Sequence, residues 1–178
     1  MPSYEQDRAW SDRYIPAMKQ LIGPHLLKIS TLEEDTKEAT DLIVLKADGL
    51  RIACRVRRPE YYRYRHQFTV RSHRESGAVT ELEKFRTGHA DWMFYGIATR
   101  GPQPLFACWS LINLDYFRVQ TNLFSRYLRT EERVNHDGTR FIAYDLASFR
   151  ACPPLLIASQ GLEDVLRPDQ LRLLAMAG

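Results

Sequence analysis

The chain has 178 residues, 44% hydrophobic and 26% charged, with a formal net charge of +3. That balance is near the globular average and excludes wholesale disorder and fibrous repeats, so one domain over residues 1–178 with a single core is expected. No apolar run reaches the roughly 18 to 20 residues of a membrane span, the segment from Pro2 to Arg8 has no signal-peptide pattern, and Cys54, Cys108 and Cys152 form neither a CxxC pair nor a disulfide framework. A soluble cytoplasmic protein with no membrane partner is the expectation.

In chain order, Trp10, Tyr14, Met18, Leu21 and Ile22 share a helical stripe, with Pro16 tolerable only where a helix starts or kinks, and Gly23-Pro24 closes it. Leu26 to Ile29 reads as a short strand, and the acidic run Glu33, Glu34, Asp35 precedes a stronger one at Leu42 to Leu45. Asp48-Gly49 predicts a tight hairpin turn into a strand over Leu50 to Val56, in which Cys54 is read as a small core residue. Pro59 to His66 interrupts the pattern, Phe68 to Arg71 resumes a strand, and Ser76-Gly77 leads into a helix carrying Thr80, Glu81, Leu82, Lys84 and Phe85 that Gly88 ends. Trp92 to Ala98 is apolar throughout, as a buried central strand would be. Leu105 to Trp109 reads as a strand, Asn113 to Leu128 as a helix, Asp137-Gly138 as a turn into a strand over Arg140 to Tyr144, and Pro168 to Met176 as a terminal helix.

Charge is concentrated in one stretch. The 24 residues from Arg51 to Arg74 hold eight arginines (Arg51, Arg55, Arg57, Arg58, Arg63, Arg65, Arg71 and Arg74), two histidines and three tyrosines against one acid, Glu60. Local density governs the field a ligand meets, and guanidinium groups match phosphate oxygens with paired donors, so these arginines are candidate nucleic-acid contacts. Tyr62 and Tyr64 are candidates to stack on bases. Nucleic acid, with DNA favoured, is therefore the leading partner. The histidines show no metal-ligand spacing, and neither GxxxxGK[ST] nor GxGxxG occurs, which leaves a nucleotide-dependent enzyme without support.

The order helix, Asp41-led strand, Asp48-Gly49 turn, arginine-bearing strand, third strand, helix with Glu81 and Lys84, then the Trp92 to Ala98 strand resembles the core of the PD-(D/E)XK nuclease superfamily, in particular its uncharacterised phage and bacterial branch. The resemblance covers roughly residues 10 to 150. It implies an α/β fold of restriction-endonuclease type, a mixed central sheet flanked by helices, and a metal-dependent nuclease that hydrolyses DNA phosphodiester bonds with Mg²⁺ or Mn²⁺. On this reading Asp41 holds the metal, Lys84 assists the attacking water, and Arg55 or Arg57 orients the scissile phosphate.

The second motif departs from the family pattern, since Arg55, Val56 and Arg57 stand where acid-x-lysine belongs. Either Glu81 replaces the missing acid, with Glu34 or Asp35 as a further ligand, or catalysis is lost and the fold binds nucleic acid or a host protein in a regulatory or phage counter-defence role. A protein-interaction module is a third class, because interfaces also favour arginine and tyrosine. Members that cut both strands often dimerise, so a homodimer is compatible with either nuclease reading.

Overall fold

The computed structural model describes residues 4–29, 42–44 and 49–177. The chain groups into two compact units, Met1–Leu50 and Arg51–Gly178. In the first, helix α1 (Tyr4–Asp12) stops short of Tyr14, and α2 (Ile15–Ile22) begins after it with Pro16 in its opening turn. There the missing N–H has no helical partner to lose. The single stripe read from the sequence is thus two helices, and Tyr14, Met18 and Ile22, four residues apart, are its buried positions. Strand β1 (Leu27–Ile29) pairs antiparallel with β2 (Leu42–Val44).

The second unit is mixed α/β and contains two sheets. The first has the order β3 (Ile52–Arg57), β5 (Trp92–Ala98), β6 (Phe106–Asn113), β9 (Leu156–Gln160). Strands β3 and β5 run parallel, with Arg55 opposite Tyr95, and the remaining neighbours are antiparallel. Strand β5 is central and buried along nearly its whole length, which is why its sequence is a continuous apolar run rather than an alternation. Gly96 leaves room for an aromatic neighbour, since a Cβ there would lie 2.6 Å from the Phe106 ring.

The second sheet is antiparallel, in the order β4 (Gln67–His73), β8 (Arg140–Asp145), β7 (Thr130–Val134). Strand β4 therefore leaves the sheet that holds β3, where the sequence reading expected one central sheet. The connection from β4 to β5 carries helix α3 (Glu81–Arg86), capped at its start by Thr80 Oγ1 accepting from the Glu83 N–H at 3.2 Å and followed by Gly88 at φ +75°. Helix α4 (Leu114–Leu123) starts at Asn113, whose side chain accepts from the N–H groups of Asp115 and Tyr116. Helix α5 (Pro168–Ala177) ends the described chain.

The core lies where the two sheets and the helices α3 and α4 meet. Phe68, Phe117 and Phe149 are fully buried, and Phe68 stacks on Tyr144 at 5.4 Å with Phe117 edge-on at 5.8 Å. Cys54 is exposed, against its expected core position, and Cys108 is the buried cysteine. Among the described residues β3 is an edge strand paired with β5, and Cys54 is its exposed position. Among the described residues no helix is long and apolar enough to cross a membrane.

Candidate functional site

A cleft of about 360 Å³ opens at the start of β3 and the end of β4, and helix α3 forms one of its walls. Of the residues singled out in the sequence, it gathers Arg51, Arg55, Arg71, Arg74, Glu81 and Lys84. Their convergence follows from the backbone. Strand β3 and the residue before it bring Arg55 and Arg51, β4 and the turn after it bring Arg71 and Arg74, and α3 presents Glu81 and Lys84 three positions apart on one helical face.

Among the described residues Glu81 is the only carboxylate lining the cleft, and it is engaged. Its Oε2 accepts from Arg55 Nη2 at 2.5 Å and from the Arg71 backbone N–H at 3.0 Å. The other arm of Arg55 donates to the Thr69 carbonyl at 3.1 Å and to Thr69 Oγ1 at 3.2 Å. With side chains 16% and 22% exposed, Arg55 and Glu81 form a half-buried, hydrogen-bonded ion pair. Arg51 is also tied, through Asp91 at 3.5 Å and the Gly88 carbonyl at 2.6 Å.

Three cations remain. Among the described residues, Arg71, Arg74 and Lys84 have no carboxylate within ion-pair distance. Burial, then the neighbouring charges of Arg74 and Arg55, push the Arg71 guanidinium below the ordinary arginine value, against the pull of Glu81 and Asp137. The Nε atoms of Arg71 and Arg74 are buried without a hydrogen-bond partner. The Phe141 ring lies under both Arg55 and Arg71, at 5.7 and 5.4 Å from centroid to guanidinium carbon, and holds the two side by side.

The other candidates gather at the opposite end of β3, around the 3₁₀ segment Pro59–Tyr64. Arg58 caps that segment in extended backbone. Arg57 lies over Tyr61 at 3.9 Å, Arg65 over Tyr62 at 4.8 Å, and both Arg63 and Arg133 lie against Tyr64, at 4.8 and 4.5 Å. Arg65 also pairs with Asp164. Tyr62 and Tyr64 thus carry guanidinium groups on their rings. Asp41, Glu34 and Asp35 lie outside the described residues.

The donor set of the cleft suits an anion. A divalent cation needs several hard oxygens, and the described lining residues offer one carboxylate, already shared by a guanidinium and an amide, among five cationic side chains. A phosphate would find the reverse, fixed donors with excess positive charge in a concave site. The sequence reading missed the contributors that orient this set: Thr69, Phe141, Asp91 and the Gly88 carbonyl. Only the last had a local signal, a glycine just past a predicted helix. Compared with known proteins, the chain matches no family model, no curated protein and no solved structure.

Proposed function

We propose that the Arg51–Gly178 unit binds the phosphate backbone of nucleic acid, DNA in the first instance, in the cleft between β3, β4 and α3. One observation carries this reading: among the described residues, Arg71, Arg74 and Lys84 converge without carboxylate partners beside a glutamate that Arg55 already occupies. Such a site gains free energy from counterion release when it neutralises phosphates, and its affinity falls steeply with salt. Arg55 and Glu81 act as the brace that aims Arg71.

The second reading is hydrolysis by a nuclease of the PD-(D/E)XK type, with Mg²⁺ or Mn²⁺ supplying Lewis acidity at the phosphate. Two features support it. Strands β3 and β5 are parallel neighbours in a mixed sheet with α3 in their connection, and Glu81 and Lys84 line one cleft with arginines suited to orient a phosphate. On this reading the second oxygen of Glu81 would be a metal ligand within the cleft.

One experiment separates the two. Labelled duplex and supercoiled plasmid are incubated with wild type, Arg71→Ala/Arg74→Ala and Asp41→Ala, with Mg²⁺, Mn²⁺ or EDTA, and both binding and cutting are followed. Salt-sensitive binding lost in the double arginine variant and unchanged in Asp41→Ala, without cutting, supports the binding reading. Metal-dependent cutting abolished by Asp41→Ala at unchanged stability supports the nuclease. Absence of binding by the wild type at 50 mM salt refutes both.

A further inference from the structure

A second arginine cleft, of about 570 Å³, is formed where the end of α4 meets the segment after β8 and the start of α5. Its polar lining is Arg126, Tyr127, Arg129, Ser148, Arg150 and Arg167. Two of these cations are paired: Arg129 with Asp145 at 3.0 Å, and Arg167 with Asp169 at 3.1 Å. Arg126 and Arg150 have no carboxylate partner among the described residues. Each instead rests on an aromatic ring, Arg126 on Tyr127 at 4.7 Å and Arg150 on Phe124 at 4.4 Å. A guanidinium stacked on a ring keeps its in-plane donors free for a ligand at its edge.

The backbone carrying Arg150 is fixed from the core. Gln120 is fully buried, its Oε1 accepts from the Arg150 N–H at 2.7 Å, and its Nε2 donates to the carbonyls of Arg150 and Pro153. Gln170 does the same for the preceding turn, donating to the carbonyls of Leu146 and Phe149. Two interior amides spent on one surface segment make this a built surface with a set position for Arg150.

Register relates the two clefts. Arg71 and Arg74 lie at the C-terminal end of β4, whereas the second cleft follows Asp145, which pairs with Gln67 at the N-terminal end of β4. Along the strand from Gln67 to Arg71 or Arg74 is about 13 to 23 Å at about 3.3 Å per residue. Helix α4 joins the same two places. Arg118 in its middle donates to the carbonyls of Phe85 and Ala90, which line the first cleft, and its end at Leu123 lines the second. One strand of a duplex advances about 3.4 Å per nucleotide, so this length of β4 corresponds to about four to seven base pairs.

Resting on the phosphate-binding reading of the first cleft, we infer that Arg126 and Arg150 form a second phosphate-contact site and that the two clefts together take one DNA duplex, held by its backbone. Duplex is favoured over single strand because Tyr61, Tyr62, Tyr64, Phe124 and Tyr127 already carry guanidinium groups on their rings. Single-strand binders need such rings free as platforms for bases. Contacts confined to phosphates position a duplex without reading its sequence.

The test measures affinity by fluorescence anisotropy for a labelled 20-base-pair duplex and a single strand of equal length between about 50 and 200 mM salt, using the full chain. Loss of Arg126 and Arg150 in the Arg126→Ala/Arg150→Ala variant removes two phosphate contacts. The slope of log affinity against log salt then flattens by about 1.8, and the loss of affinity across that salt range shrinks about tenfold. The Arg126→Lys/Arg150→Lys variant recovers most of the slope. Combination with Arg71→Ala/Arg74→Ala flattens it by about twice as much, and the wild type prefers duplex to single strand. Both arginines are exposed, and an unchanged melting temperature shows that the variants fold. An unchanged slope in the Arg126→Ala/Arg150→Ala variant overturns the second site while leaving the first cleft standing. Tighter binding of single strand overturns the duplex assignment, and absence of any wild-type binding removes both clefts as DNA sites.

Discussion

Glu81→Gln separates an anion site from a metal site because the two predict opposite signs. In the wild type, Glu81 is the one negative charge among the described cleft-lining residues and accepts from Arg55 and from the Arg71 amide. The amide side chain keeps an oxygen for the Arg71 N–H but loses the charge that holds Arg55. For a phosphate about 6 Å from the carboxylate, removing their repulsion is worth about 0.7 to 2.8 kcal/mol for an effective dielectric between about 80 and 20. A gain of about fivefold in duplex affinity, about 1 kcal/mol, lies inside that range. Arg55, released, supplies one more contact and steepens the salt slope by about 0.9. The fold loses part of a half-buried ion pair, about 1 to 2 kcal/mol, which lowers the melting temperature by about 3 to 6 °C in a chain of this size. Anisotropy titrations at several salt concentrations, with a thermal melt of the same samples, read all three quantities. Weaker duplex binding with a flatter slope would refute the reasoning. Tighter binding combined with loss of Mg²⁺-dependent cutting would assign Glu81 to the nuclease reading as well.

Gln120→Leu leaves the Arg150 N–H and two carbonyls in the interior unpartnered, and is expected to destabilise by about 2 to 4 kcal/mol in urea unfolding while reducing binding at the second cleft. Gly96→Ala places a methyl 2.6 Å from the Phe106 ring and 2.9 Å from Phe94, and overpacking of this kind costs about 1 to 3 kcal/mol by the same measurement. Burial pushes the Cys108 thiol up to about 11, so iodoacetamide near pH 8 modifies the exposed Cys152 first and reaches Cys108 only on unfolding, as peptide mass mapping would record. Inorganic phosphate at about ten times its dissociation constant stabilises the fold by about 1.4 kcal/mol. The increment over chloride at equal ionic strength falls in Arg71→Ala/Arg74→Ala, a comparison that removes the general salting effect of phosphate.

What could be read from the sequence was local. Gly88 after Arg86 ends a helix because a left-handed residue acts within one turn, whereas Thr80, read as part of that helix, stands outside it as the cap of α3. The unbroken apolar run from Trp92 to Ala98 likewise identified a strand covered on both faces. Strand β7 escaped notice because Thr130, Glu131, Glu132, Arg133 and Val134 show no apolar alternation, and its hydrogen bonds to β8 hold a border strand open to water. The departure of β4 into a second sheet was equally hidden, since pairing with β8 joins residues more than 65 positions apart. Arg55, Arg71, Glu81 and Lys84 were each singled out for the site. Their division into brace and free cations was not visible, because it depends on which guanidinium the Glu81 carboxylate meets across 26 residues. The second cleft gave no density signal at all, its arginines being spread from Arg126 to Arg167.

The first cleft concentrates like charge at a cost to the fold, and that cost argues for a ligand. Arg71 is held below its ordinary value by burial and by two arginine neighbours, although β4 would pair as well with a neutral residue there. Strand hydrogen bonds involve only the backbone, so nothing in sheet formation demands a cation at that position. The surroundings are arranged to keep it: the Arg71 amide is fixed by Glu81, Arg55 by Thr69, and both guanidinium groups by the Phe141 ring. Had the cluster served stability alone, a second carboxylate beside Arg71 or Arg74 would neutralise it, as Asp91 does for Arg51 and Asp164 for Arg65. On the binding proposal, Arg71 and Arg74 keep their donors for a mobile anion, whose arrival would replace repulsion with charge-assisted hydrogen bonds.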